Sequence, residues 1–95
     1  MLTPKYTKLA IQDLQQAYAY IAEDNLHSAG AVVERIEQGI KTLCVHPHIG
    51  RPGRLKGTRE LVIARTSFIV VYRAHQSFLW ILSVLHTSKK YPLVH

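Results

Sequence analysis

The apolar positions of this chain change their period along its length. From Ala10 they recur every three or four residues, at Ala10, Leu14, Ala17 and Ile21, with Ile11, Tyr18 and Ala22 widening the stripe. That spacing turns one face of a helix toward a core. Thr7 is its predicted N-cap, because a threonine hydroxyl accepts from a first-turn backbone N–H, and the helix should stop near Asp24-Asn25. A second helix follows almost at once, capped by Asn25 or Ser28, with Ala29, Val32, Val33, Ile36, Ile40 and Leu43 on its apolar face and Pro47 as its stop. So short a connection folds the two helices into an antiparallel hairpin.

From His46 to Thr58 three glycines and two prolines interrupt any regular pattern, which predicts a loop. Strand-like runs then take over: Arg59–Arg65, Phe68–Ala74 and, after a His75-Gln76-Ser77 turn, Phe78–Leu85. Leu2 to Tyr6 could add an edge strand. Helices first and strands second predict an α+β fold: an N-terminal antiparallel helical hairpin packed on a three- to four-stranded antiparallel sheet, as one domain over residues 1–95. Simple alternation along the last strand puts Phe78, Trp80, Leu82 and Val84 on one side and Leu79, Ile81 and Leu85 on the other. Both sides are apolar, and helices cover only one face of a two-layer fold. The second face therefore needs a cover: a partner chain, the C-terminal Leu93-Val94 folded back, or long side chains of neighbouring strands.

Charge bears on that choice. Residues 1–40 carry three basic and five acidic groups, whereas residues 41–95 carry nine basic groups and a single acid, Glu60. A one-sided positive field suits nucleic acid or an acidic protein segment. No apolar run is long enough for a membrane helix, and the first residues lack the apolar core of a signal peptide, so no membrane partner and a cytoplasmic location are expected. Cys44 is the only cysteine and reads as a small buried apolar residue. His46 and His48 are too few to argue a metal site, and there is no nucleotide loop, so neither metal nor other cofactor is expected.

Several segments are similar to the RelE/ParE toxins of type II toxin–antitoxin systems, the plasmid-stabilisation type. They are Ala10-x-x-Asp13-Leu14, Tyr20-Ile21-Ala22, Pro47-x-x-Gly50-Arg51-Pro52-Gly53, Gly57-x-Arg59-Glu60-Leu61-Val62, Phe68-Ile69-Val70-Val71-Tyr72-Arg73 and Ile81-Leu82-x-Val84-Leu85-His86. Together they span nearly the whole chain. The resemblance implies a growth-inhibiting toxin neutralised by a cognate antitoxin that wraps its surface, as a hetero-oligomer. It implies one of two targets: DNA gyrase for ParE-like members, or the ribosome and its mRNA for RelE-like endonucleases. The Gly-x-Arg-Glu-Leu-Val and Val-Leu-His segments are closer to the ParE-like branch.

Metal-free RNA cleavage would need a base for the 2′-OH, an acid for the leaving oxygen and cations for the phosphorane. Glu60 or His86 could serve as base, and His86 or Tyr91 as acid. Arg59, Arg65 and Arg73 could neutralise the phosphate. The resemblance implies phosphate contact for Arg65 and catalytic positions near His86 and Tyr91, so Arg65, His86 and Tyr91 are the catalytic candidates if the chain is RelE-like. Arg51, Arg54, Lys56, Arg59, Arg73, Lys89 and Lys90 are the candidates for binding nucleic acid or another target. Strand alternation places Arg59 and Arg65 on one face and Glu60 on the other, which makes a Glu60–Arg65 catalytic pair awkward. A third possibility is a non-toxic nucleic-acid-binding module.

Overall fold

A computed structural model describes residues 1–87. The elements run β1 (Thr3–Tyr6), α1 (Lys8–Asp24), α2 (Leu26–Val45), β2 (Arg51–Pro52), β3 (Arg59–Val62), β4 (Phe68–His75) and β5 (Phe78–His86). The Thr7 hydroxyl accepts from the Ala10 N–H at 3.0 Å and donates to the Leu82 carbonyl at 2.9 Å, so one side chain both starts α1 and fastens it to β5. Asn25 closes α1 with its backbone N–H on the Ile21 carbonyl and opens α2 by accepting from the Ser28 N–H. A single residue thus turns the chain between the helices. α2 ends at Val45, ahead of Pro47.

The strands form one five-stranded sheet in the order β1-β5-β4-β3-β2. It is antiparallel except that β1 runs parallel to β5. The expected hairpin-on-sheet architecture is present, with five strands instead of three or four because the two-residue β2 adds a further edge, and with β4 and β5 much the longest. β1 can lie parallel to β5 because the helical hairpin and the rest of the sheet intervene between them in sequence.

The helical hairpin covers one face. Ala10 and Ala17 of α1 and Ile36, Ile40 and Leu43 of α2 pack onto Phe68, Val70 and Tyr72 of β4 and Leu79, Ile81 and Val84 of β5. The two-sided alternation expected for the last strand is broken by a bulge. Val71 pairs with Ser83 but Tyr72 pairs with Ile81, leaving Leu82 as the extra residue. The bulge resets the side-chain phase: Val84 joins Leu79 and Ile81 beneath the helices instead of following Phe78 and Trp80. His86 changes sides with it and meets the ring of Phe68 edge-on at 5.2 Å.

Beside the bulge, the Asp13 carboxylate on α1 accepts from the Ser83 hydroxyl at 2.8 Å and from the Val84 N–H at 3.0 Å. β1 ends opposite Ile81, so the Val84 amide has no neighbouring strand on that edge, and a helix side chain takes its place.

Candidate functional site

The basic segment between α2 and β3 is a built loop. Three strand side chains hold it from two sides. Tyr72, with no exposed surface, donates its hydroxyl to the Pro47 carbonyl at 2.7 Å and accepts from the Gly50 N–H at 3.0 Å. Its cross-strand partner Arg59 donates to the carbonyls of Gly50 at 2.8 Å and His48 at 3.4 Å. On the opposite face of β3, Glu60 is 3% exposed. One oxygen accepts from Nε and an Nη of Arg51 at 3.3 and 3.1 Å, and the other accepts from the Arg54 N–H at 3.3 Å. The loop closes on itself where the Gly53 N–H meets the Thr58 carbonyl at 2.8 Å.

Two glycines make this fit possible. A Cβ at Gly50 would lie 2.4 Å from the Tyr72 hydroxyl, and one at Gly53 would lie 2.2 Å from the Thr58 hydroxyl. Burial raises the pKa of the Tyr72 phenol, although the Gly50 N–H and the nearby Arg59 pull the other way. It stays protonated and able to donate at neutral pH.

These contacts redistribute the candidate residues. Glu60 is not poised as a base: it is buried against Arg51 and the loop backbone. Its strand position allows a base but does not say what covers it. The Arg59 guanidinium is spent on loop carbonyls. Arg51, Arg54 and Lys56 remain exposed on the loop, as does Arg73, opposite Trp80 near the far end of β4.

Arg65 lies elsewhere. β3 stops at Val62, so the expected alternation does not reach it. Arg65 sits in the β3–β4 turn with φ of 61°, at the end of the sheet where Phe68 pairs with His86. The fold therefore brings Arg65 and His86 to one end of the sheet and the Arg51–Arg59 group to the other. Lys89, Lys90 and Tyr91 lie outside the described residues. Among the described residues, no three His, Cys, Asp or Glu side chains gather as a metal site, and no helix is long and apolar enough to cross a membrane.

Sequence reasoning missed Tyr72 and Asp13 as organisers. Both fall within the segments that carry the family resemblance, and that was the only signal available.

A groove of about 580 Å³ separates α2 from β3. Gly39, Leu61 and Ile63 supply apolar lining, with Glu34, Arg35 and Arg65 among its polar residues. β2 pairs only with Arg59 and Glu60, so the β3 edge at Val62 faces this groove without a strand beside it.

Residues 5–91 match the model of the family described as ParE toxin of type II toxin-antitoxin system, parDE, and the chain belongs to that family. It is 39% identical to "Putative toxin Y4kP" of Sinorhizobium fredii, over 95% of this chain and 93% of that protein. Among solved structures, it resembles one from the chromosomal ParDE toxin–antitoxin system of P. aeruginosa, with 27% identity and a TM-score of 0.79 over 90% of this chain and 96% of that one. YafQ from E. coli is 11% identical with a TM-score of 0.60, over 93% and 96% of the two chains, and shares the fold alone.

Proposed function

We propose that this ParE-family toxin arrests growth by seizing DNA gyrase rather than by cutting RNA, and that a cognate antitoxin holds it inactive in a hetero-oligomer. The observation that carries the choice of target is the fate of the proton-transfer candidates. Glu60 is locked in an ion pair with Arg51, and the His86 ring packs edge-on against core Phe68. General acid–base catalysis needs such groups within reach of substrate protons. The antitoxin is supported by the groove between α2 and β3, whose neighbouring sheet edge offers backbone groups to an extended segment of another chain. The P. aeruginosa relative also comes from a ParDE system.

The test is induction of the chain alone in bacteria, alongside purified protein added to a gyrase supercoiling assay. Filamentation, a DNA-damage response and lost supercoiling are the expected results. Rapid translation arrest with cleaved mRNA, abolished by Arg65→Ala or His86→Ala in folded protein, would establish the RNA-cutting alternative, which the shared position of Arg65 and His86 at one sheet end favours. No growth effect at all would leave a nucleic-acid-binding module. A small neighbouring reading frame with an acidic C-terminal part should restore growth.

A further inference from the structure

We infer that the braced loop from Pro47 to Thr58 is the element that grips the target, that its partner is an acidic protein surface with apolar hollows, and that Glu60 is the positioning residue that preforms it. The inference rests on the proposed action on gyrase and adds where that contact is made.

A glycine- and proline-rich loop normally costs ordering entropy when it binds. This one is already ordered. Tyr72 and Arg59 hold its first half from the helix-covered face, and Glu60 holds Arg51 and the Arg54 N–H from the other. Glu60 is the only acid in residues 41–95 and is almost fully buried, so it offsets the charge of Arg51 but puts no carboxylate on the surface beside Arg54 and Lys56. It faces inward while Arg51, Arg54 and Lys56 stay exposed. The same loop leaves two aliphatic side chains in solvent: Ile49 is 54% exposed and Leu55 48%. Large apolar groups held outward on a rigid loop are poor for solubility and good for an interface.

Their chemistry selects the class of partner. Single-stranded nucleic acid is gripped by aromatic side chains on which bases stack. No Phe, Tyr or Trp occurs between residues 46 and 58. Isoleucine and leucine set among arginines match a protein surface that alternates carboxylates with apolar hollows.

The experiment compares wild type, Glu60→Gln, Leu55→Ser, Lys56→Glu and the Leu55→Ser, Lys56→Glu double variant against purified gyrase, the cognate antitoxin and a labelled single-stranded RNA. Glu60→Gln keeps the size of the side chain but removes the charge that holds Arg51. It should speed amide exchange at Gly53 and Arg54, weaken gyrase binding about tenfold and leave antitoxin affinity within about twofold. A merely structural role would weaken both partners together. A variant carrying Leu55→Ser and Lys56→Glu alters only exposed side chains, so it tests the surface even if Glu60→Gln fails to fold. Its melting temperature should be unchanged and its gyrase binding and growth arrest lost. Full activity in that variant overturns the inference while leaving the gyrase reading intact. Wild-type protein that neither binds gyrase nor arrests growth defeats the reading beneath it. RNA binding that falls with Lys56→Glu but not with Leu55→Ser would replace the protein partner with nucleic acid.

Discussion

Removing one oxygen from Tyr72 should damage this protein more than its size suggests. The phenol is fully buried and serves two backbone groups of the loop, the Gly50 N–H at 3.0 Å and the Pro47 carbonyl at 2.7 Å. Tyr72→Phe keeps the ring, so the packing under α2 is nearly unchanged and no large cavity opens. The loss is in polar satisfaction. Gly50 is buried, and a buried donor without an acceptor costs about 1–3 kcal/mol. Pro47 is half-buried, so its carbonyl can recover a water, and the lost bond there costs about 0.5–1.5 kcal/mol. The two together give about 1.5–4.5 kcal/mol, a large share of the ~5–15 kcal/mol that stabilises an ordinary domain. Urea unfolding followed by the fluorescence of Trp80, the only tryptophan, should show a lower midpoint with an unchanged slope. The melting temperature should fall by roughly 10–20 °C for a chain this size. Tyr20→Phe is the control, because Tyr20 is 68% exposed and its hydroxyl is free to bond water. A loss below about 0.5 kcal/mol for Tyr72→Phe would mean that the loop backbone satisfies itself without the phenol. The bracing described here would then be wrong.

Other substitutions probe neighbouring contacts. Gly50→Ala should destabilise the loop and should not be rescued by Tyr72→Phe, since the new Cβ would still lie 2.8 and 2.9 Å from Cε1 and Cζ of the ring; melting curves of the single and double variants decide this. Asp13→Ala strips acceptors from the Ser83 hydroxyl and the Val84 amide and should cost about 1–3 kcal/mol, while Asp13→Asn, which keeps one acceptor oxygen, should cost less in the same urea titration. Burial raises the folded-state pKa of the Tyr72 and Tyr6 phenols above 10.0 and of the Cys44 thiol above 9.0. Stability from these groups is complete below those ordinary values and is lost as pH climbs through the raised ones, so unfolding free energy should fall above about pH 9, and less steeply in Tyr72→Phe. The gentle thiol-labelling counterpart is that Cys44 should resist alkylation in folded protein at neutral pH and react once urea unfolds it.

Local pattern alone carried much of the fold. The three- and four-residue spacing of α1 and α2, the caps at Thr7 and Asn25 and the stop before Pro47 depend on neighbours within a turn or two, and such signals are legible in one dimension. The strands at Phe68 and Phe78 were legible for the same reason. The candidate site was legible only as an inventory: nine cations after residue 40 announce a basic face but do not say which of them point outward.

What tertiary structure decided is where a residue's surroundings come from distant parts of the chain. The bulge at Leu82 is fixed by the pairing of β5 with β4 and by Asp13, 70 residues away from Ser83, and it moves Val84 and His86 to the other face. Glu60 and Arg59 are neighbours in sequence, yet each holds the loop from its own side of the sheet. Burial and hydrogen-bond partners are properties of assembled space. Periodicity can therefore place a charged residue on a strand, while only the packed molecule decides whether it meets a solvent, a partner or its own backbone.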